Sequence, residues 1–317
     1  MHHCDDGFRN FPLISEDTSK GFSFNFRRII DLFHLPEVPK DHYLSESEAI
    51  IEYNKFKSEN TITWLGHSTF IIKINGKTIL TDPILTEYAS PIGPFGVKRF
   101  IPAGISLRNL PRIDILLISH NHYDHCDKET IEKLQGKEKI KVLVPLGLKK
   151  FFKEIGYKNI YEFDWGDRKI FDMIKFISLP AVHYSGRCLS DQFKTLWCSW
   201  AINTSSGNYF FAGDTGYSPK ILSQIRDKID QFNLAIVPIG AYKPKFLQKY
   251  HTTPEQALKI GINLNASFLL AMHWGTFKLS DENIWEPPNL FIEEANKIGI
   301  SKNRIWILKI GETRILP

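Results

Sequence analysis

From Thr61 onward apolar and polar residues alternate in short runs with the period of strands. Thr61 to Leu65 and Phe70 to Ile74 are rich in β-branched and aromatic residues, Asn75-Gly76 makes a two-residue hairpin turn, and Lys77 to Thr81 returns. Ile113 to Ser119 is a short apolar run of the fully buried strand type. A helix over Lys128 to Leu134, a strand over Lys141 to Val144 and a helix over Leu146 to Ile155 follow. Further strands are expected at Lys175 to Leu179, Ser199 to Asn203, Tyr209 to Ala212, Leu234 to Pro238, Phe268 to Met272 and Ile305 to Lys309. Helices are expected at Pro219 to Lys228, Pro254 to Asn263 and Asn289 to Ile298. Ser45-x-x-Glu48 is a capping box opening a helix to about Lys57, each side chain satisfying an orphan amide. Thr253-Pro254-x-Gln256 supplies an N-cap, a proline at N1 and a capping glutamine, whereas the start at Pro219 offers no cap.

Hairpin strands, then alternating strands and helices, then a second similar set predict an α/β sandwich: two mixed sheets with helices on their outer faces. One domain over residues 43–317 accommodates the pattern. Residues 1–42 stand apart as an arm in which Phe8, Phe11, Phe22, Phe24, Phe26 and Phe33 interleave with Arg9, Arg27 and Arg28 before Pro36 and Pro39. The alternation of Phe22, Phe24 and Phe26 fits an extended segment packed on the domain. It also fits an interfacial arm whose rings enter lipid while Arg27 and Arg28 meet headgroups.

Composition narrows the class. With 317 residues, 43% apolar and 24% charged, the chain has an ordinary globular profile that excludes disorder for its bulk. Cys4, Cys126, Cys188 and Cys198 form no CxxC pair and no disulfide framework, so a reducing compartment is expected. No stretch approaches 18 apolar residues, and the first residues lack the basic start and apolar run of a signal peptide. The expected location is cytoplasmic, or peripheral at a membrane surface. A net charge of +5 is mild, and the lysines near 149–153 and 243–249 read as solvated faces, so no nucleic-acid partner is expected. A homodimer is left open.

The chemistry concentrates in Ile118-Ser119-His120-Asn121-His122-Tyr123-Asp124-His125. A buried strand runs out and four metal-capable side chains follow within six residues. Imidazole nitrogen and carboxylate oxygen suit zinc or another first-row divalent ion. A two-ion site needs more donors, and three further apolar strands each deliver one to the loop that follows: His183, Asp214 and His273. His67, at a strand end, either lines the site or is a hydrogen-bonded turn residue. Asp82 before Pro83 either orients a ligand or caps a turn. His251 either serves the site or merely precedes a helix. Cys126 reads as a buried small residue, His34 and His42 as hydrogen-bonded or surface residues, and His2 and His3 as a frayed terminus.

With these residues in view, the chain resembles the metallo-β-lactamase fold hydrolases through its HxHxDH word. Within them it resembles the N-acyl-phosphatidylethanolamine-hydrolysing phospholipase D family and its bacterial relatives. The supporting words are Thr63-Trp64-Leu65-Gly66-His67-Ser68-Thr69-Phe70, Thr81-Asp82-Pro83, Ser119 to His125, Tyr184-Ser185-Gly186-Arg187, Gly213-Asp214-Thr215-Gly216-Tyr217 and His273-Trp274-Gly275-Thr276, with Gly7-Phe8-Arg9-Asn10 a weaker one. Tyr184 departs from the tryptophan of relatives. The resemblance implies two Zn2+ ions: one held by His120, His122 and His183, the other by Asp124, His125 and His273, with Asp214 bridging. It implies Asp82 as the carboxylate orienting a ligand, and His251 beside the leaving group. Asp214, His251 and Asp82 are then the expected catalytic set, and a phospholipid or small anionic phosphodiester the expected substrate. Rival expectations are a cytosolic hydrolase of a soluble ester, such as a sugar lactone phosphate, and a metal-binding but inactive adaptor.

Overall fold

The computed structural model describes residues 2–11, 37–90, 93 and 96–317. Phe22, Phe24, Phe26, Arg27, Arg28, Phe33, His34 and Pro36 lie outside the described residues. The first half of the chain builds one seven-stranded sheet from β3 (Thr61–Gly66), β4 (Thr69–Ile74), β5 (Lys77–Thr81), β8 (Ile115–Leu117), β9 (Lys141–Pro145) and β10 (Asn159–Phe163). The last strand of the chain, β18 (Thr313–Ile315), returns to pair with β3 and completes the order β10-β9-β8-β5-β4-β3-β18. The second sheet runs in chain order from β11 (Arg168–Phe171) through β12 (Ile174–Leu179), β13 (Ser199–Thr204), β14 (Gly207–Phe211), β15 (Leu234–Pro238) and β16 (Phe268–Met272) to β17 (Ile305–Trp306). Two short ribbons, β1 (His3–Cys4) with β2 (Gly7–Phe8) and β6 (Tyr88–Ala89) with β7 (Val97–Lys98), lie apart from them.

The period of two decides which face each side chain serves. Ile62, Trp64, Phe70, Ile72, Ile115 and Leu117 of the first sheet share one buried cluster with Phe176, Trp200 and Phe211 of the second. The intervening Leu65, Ile71, Leu80, Leu116, Val142 and Val144 turn the other way, toward α1 (Glu46–Lys55), α2 (Lys128–Lys133) and α3 (Lys149–Glu154). The second sheet is covered by α4 (Pro219–Arg226), α5 (Pro254–Asn263) and α6 (Glu286–Lys297), which bury Leu222, Leu258 and Phe291. The result is the expected α/β sandwich. The Trp200 indole donates across the sheets to Ile118 O at 2.9 Å, and Cys198 N to Ser119 O at 2.9 Å.

Several local expectations shift. The Ser45 and Thr253 capping boxes both form, but α4 is also capped, because Ser218 accepts from Ile221 N with Pro219 in the first turn. Helix α3 begins after Gly147, whose φ of +92° interrupts the expected helix from Leu146. Helix α6 starts ahead of its expected Asn289, because Pro287 and Pro288 sit in the first turn, where no amide donor is needed. The expected Ile305 to Lys309 strand pairs only over β17.

Candidate metal centre

Pairing fixes strand direction, and direction gathers the site. β3, β5 and β8 run parallel, as do β12, β14 and β16, so six strands end at one edge of the sandwich. Past those ends come His67, Asp82, His120, His183, Asp214 and His273. All except His183 follow within three residues of a strand end. His67 (φ 53°), Asp82 (φ 32°) and His273 (φ 62°) hold left-handed backbone without being glycine. That conformation costs on the order of 1–3 kcal/mol per residue and concentrates at functional sites. Gly213, at φ +57°, is needed for a second reason: a Cβ there would stand 2.5 Å from the Ser119 Cβ.

The donors fall into two groups. Donor atoms of His120, His122 and His183 lie within 4.8 Å of one another, as do those of His67, Asp124, His125 and His273. Asp214 lies between the groups: its Oδ2 is 3.8 Å from His183 Nε2, 3.2 Å from His125 Nε2 and 3.1 Å from His273 Nε2. His251 Nδ1 stands 3.7 Å from the same oxygen. All seven predicted donors therefore meet, with His251 beside them.

What holds them is equally specific. The fully buried Asp82 carboxylate accepts from Ser119 N at 2.7 Å, from Ser119 Oγ at 2.6 Å and from His125 Nδ1 at 2.7 Å. Ser119 Oγ in turn accepts from His120 Nδ1 at 2.8 Å. One carboxylate thus orients two imidazoles, leaving the Nε2 of each for the centre. Asp82 is occupied in this way, so its part is positioning. His67 answers its open question by entering the site: its Nε2 donates to Asp124 Oδ2 at 2.9 Å. The His67 carbonyl accepts from His273 N at 3.1 Å and from the Trp64 indole at 2.9 Å. His183 is aimed by Nδ1 donating to Tyr250 O at 3.0 Å. The Arg187 guanidinium, stacked on Tyr123 and Phe151, donates to the carbonyls of Asn121 and Cys126 at the two ends of the HxHxDH loop.

Electrostatics separate the groups. Burial, reinforced by neighbouring imidazoles, holds His120 well below the ordinary histidine range. Burial holds His122 at about 4, and burial likewise holds His183 well below that range. Burial also opposes charge on His125 and His273, but the Asp214 and Asp124 carboxylates overcome it, raising His125 well above the ordinary value and His273 to about 9. Burial opposes charge on Asp124 and Asp214 too, and the facing His125 and His273 bring both well below the carboxylate range.

The donors fit a divalent metal. His125 Nε2, His273 Nε2 and Asp214 Oδ1 are buried without a hydrogen-bond partner, a costly state for polar atoms unless an ion satisfies them. An imidazole-rich set with carboxylate oxygens matches a first-row divalent ion. The centre meets solvent on the side of Asp124 and His251, whose side chains are 16% and 12% exposed. Tyr184 stands over His122 and His183, its ring 4.6 and 4.9 Å from theirs.

The remaining expectations resolve simply. Cys126 is buried, its thiol pushed up to about 12 by burial, and takes no place among the donors. His42 is a buried residue bonded to Gly275 O at 2.8 Å. His2 and His3 are not frayed: their Nε2 atoms meet the two oxygens of Asp164 at 2.6 and 2.7 Å. Asn10 is a missed residue of the site, as is Tyr250: the Asn10 carboxamide pairs with the backbone of His183. The only signal for Asn10 was the weak Gly7-Phe8-Arg9-Asn10 word.

Fold and donor set together define a metal-dependent hydrolase, and the comparisons agree: the β-lactamase superfamily domain matches residues 77–274, and the chain belongs to that superfamily. It is 34% identical over 257 residues to N-acyl-phosphatidylethanolamine-hydrolyzing phospholipase D 1 of Caenorhabditis elegans, covering 77% of this chain and 72% of that protein. It is 34% identical over 296 residues to the mitochondrial N-acyl-phosphatidylethanolamine-hydrolyzing phospholipase D of Saccharomyces cerevisiae, covering 90% of this chain and 60% of that one. Among solved structures, the isothiocyanate hydrolase from Delia radicum gut bacteria superposes with a TM-score of 0.64 at 19% identity, over 80% of this chain and 98% of that one. This last likeness concerns the fold. No helix among the described residues is long and apolar enough to cross a membrane.

Proposed function

We propose that this protein is a dinuclear zinc phosphodiesterase that cleaves N-acyl-phosphatidylethanolamine to N-acylethanolamine and phosphatidic acid. The observation that carries the reading is the place of Asp214, one carboxylate within 3.8 Å of imidazoles from both donor groups. The names of the worm and yeast relatives support the substrate. In this reading His120, His122 and His183 hold one ion, Asp124, His125 and His273 the other, and Asp214 touches both. Bound divalent ions make a water acidic enough to attack at neutral pH and offset charge on the phosphate oxygens.

The chain's own residues do the rest. Asp82 and Ser119 fix the rings of His125 and His120, and His67 fixes the Asp124 carboxylate. His251 moves the proton. Burial holds its pKa at about 4, so the ring is uncharged at neutral pH and carries a proton only in passing. As a water oxygen bonds to phosphorus and the bond from phosphorus to the ethanolamine oxygen breaks, His251 takes the water's proton. It then passes that proton to the departing alkoxide. The cytoplasmic or membrane-peripheral location, with lipid contact through residues 1–42, belongs to the same proposal.

The deciding experiment assays the zinc-loaded protein against N-acyl-phosphatidylethanolamine in mixed micelles and against a soluble bis-aryl phosphodiester. Release of N-acylethanolamine and phosphatidic acid is expected. A protein holding two metal equivalents and hydrolysing neither compound overturns the proposal. Replacing Phe22, Phe24 and Phe26 by serine should weaken vesicle sedimentation; unchanged sedimentation removes the lipid-contacting arm.

A further inference from the structure

The segment before residue 12 docks on the domain at three places. His2 and His3 share the Asp164 carboxylate, and the His2 ring stacks on Trp165 with centroids 4.1 Å apart. Phe8 N donates to Phe193 O at 2.8 Å, an approach that requires Gly7, since a Cβ at its φ of +145° would collide with that same carbonyl. Asn10, 7% exposed, then makes two bonds to one residue: Nδ2 donates to His183 O at 2.8 Å, and Oδ1 accepts from His183 N at 3.0 Å.

His183 is the donor that needs such help. It lies past the end of β12, where no neighbouring strand pairs its amide and carbonyl. A carboxamide offers a donor and an acceptor in one plane, and Asn10 thereby supplies the pairing a strand would have supplied. The two constraints on His183 are complementary, since Tyr250 O sets the ring and Asn10 sets the backbone that carries it.

We propose that Asn10 is a positioning residue for the metal centre, holding His183 in ligating geometry, so that residues 2–11 form part of that centre. The proposal rests on the reading of His183 as a metal ligand.

The test titrates metal-free full-length protein, its Asn10→Ala and Asn10→Asp variants and a His183→Ala control with Zn2+ by equilibrium dialysis. Absorption of the Co2+-substituted forms is recorded in parallel. Asn10→Ala should weaken one metal equivalent by about 10–100-fold, the usual effect of removing a ligand's orienting partner, and alter the Co2+ spectrum. The other equivalent should keep its affinity. Asn10→Asp keeps the volume but sets a carboxylate oxygen against the His183 carbonyl, and should lose at least as much. It decides the matter if the alanine variant does not fold. Wild-type affinities and spectrum in a folded Asn10 variant overturn the proposal, provided His183→Ala does lose metal. If His183→Ala loses none, the underlying reading of His183 fails instead.

Discussion

The two donor triads share a plan and differ in charge. Each takes two side chains from the loop 120–125 and one from a strand end of the second sheet: His183 for one, His273 for the other. His120, His122 and His183 are all imidazole, and burial keeps them neutral near pH 7. In the other triad a carboxylate replaces one imidazole, and with Asp214 close by, His125 and His273 are held protonated. The lesson concerns desolvation. The same burial yields neutral ligands or proton-holding ones according to how many carboxylates press on them and how closely: Asp124 and Asp214 both lie within 3.7 Å of His125 and of His273, whereas His183 has Asp214 alone at 3.8 Å.

The largest effect should come where both triads are broken together. Asp214→Asn removes the charge between them, and we expect hydrolysis to fall at least about a hundredfold with loss of at least one metal equivalent. A fully active, fully loaded variant would falsify the bridging reading. Asp82→Asn comes next, because its carboxylate orients His125 directly and His120 through Ser119. Metal affinity of both equivalents should drop about 10–100-fold, and equilibrium dialysis showing only one affected would confine Asp82 to a single triad.

The third prediction separates the triads by pH. Metal binding needs neutral imidazole, and His273 stays charged in the metal-free protein up to about 9. Affinity of the Asp124, His125 and His273 triad should therefore rise about tenfold per unit from pH 7 toward 9 for each proton released. The all-imidazole triad should be flat over that range. Calorimetry in buffers of different ionisation enthalpy counts the protons, and an equal count for both equivalents would erase the distinction. The smallest effect is a control outside both triads. Thr253→Ala removes the cap of α5, two residues beyond His251, and should lower stability by about 1 kcal/mol in urea unfolding with metal affinity unchanged.

Legibility in the sequence followed locality. Strands buried on both faces, such as β15 and β16, could be bounded from their apolar runs because every residue meets the core. β10, β11 and β18 went unread. They lie at or near sheet edges, where half-exposed positions blur the alternation, and β18 finds its partner Thr63 only across the whole chain. The cap at Ser218 was legible and missed, since Ser-Pro at N-cap and N1 is a recognised start.

The candidate donors were legible in the sequence alone: four chemically matched side chains in six residues, and a histidine or aspartate past each of three apolar strands. What only tertiary structure decided is which groups hold those donors still. His67 reaches Asp124, Asp82 reaches His125, Tyr250 meets His183, and Asn10 meets His183 from the far end of the chain. A ligand advertises itself by its own chemistry. Its orienting partner can be any hydrogen-bonding group, backbone included, and is selected solely by where the two sheets bring the chain together.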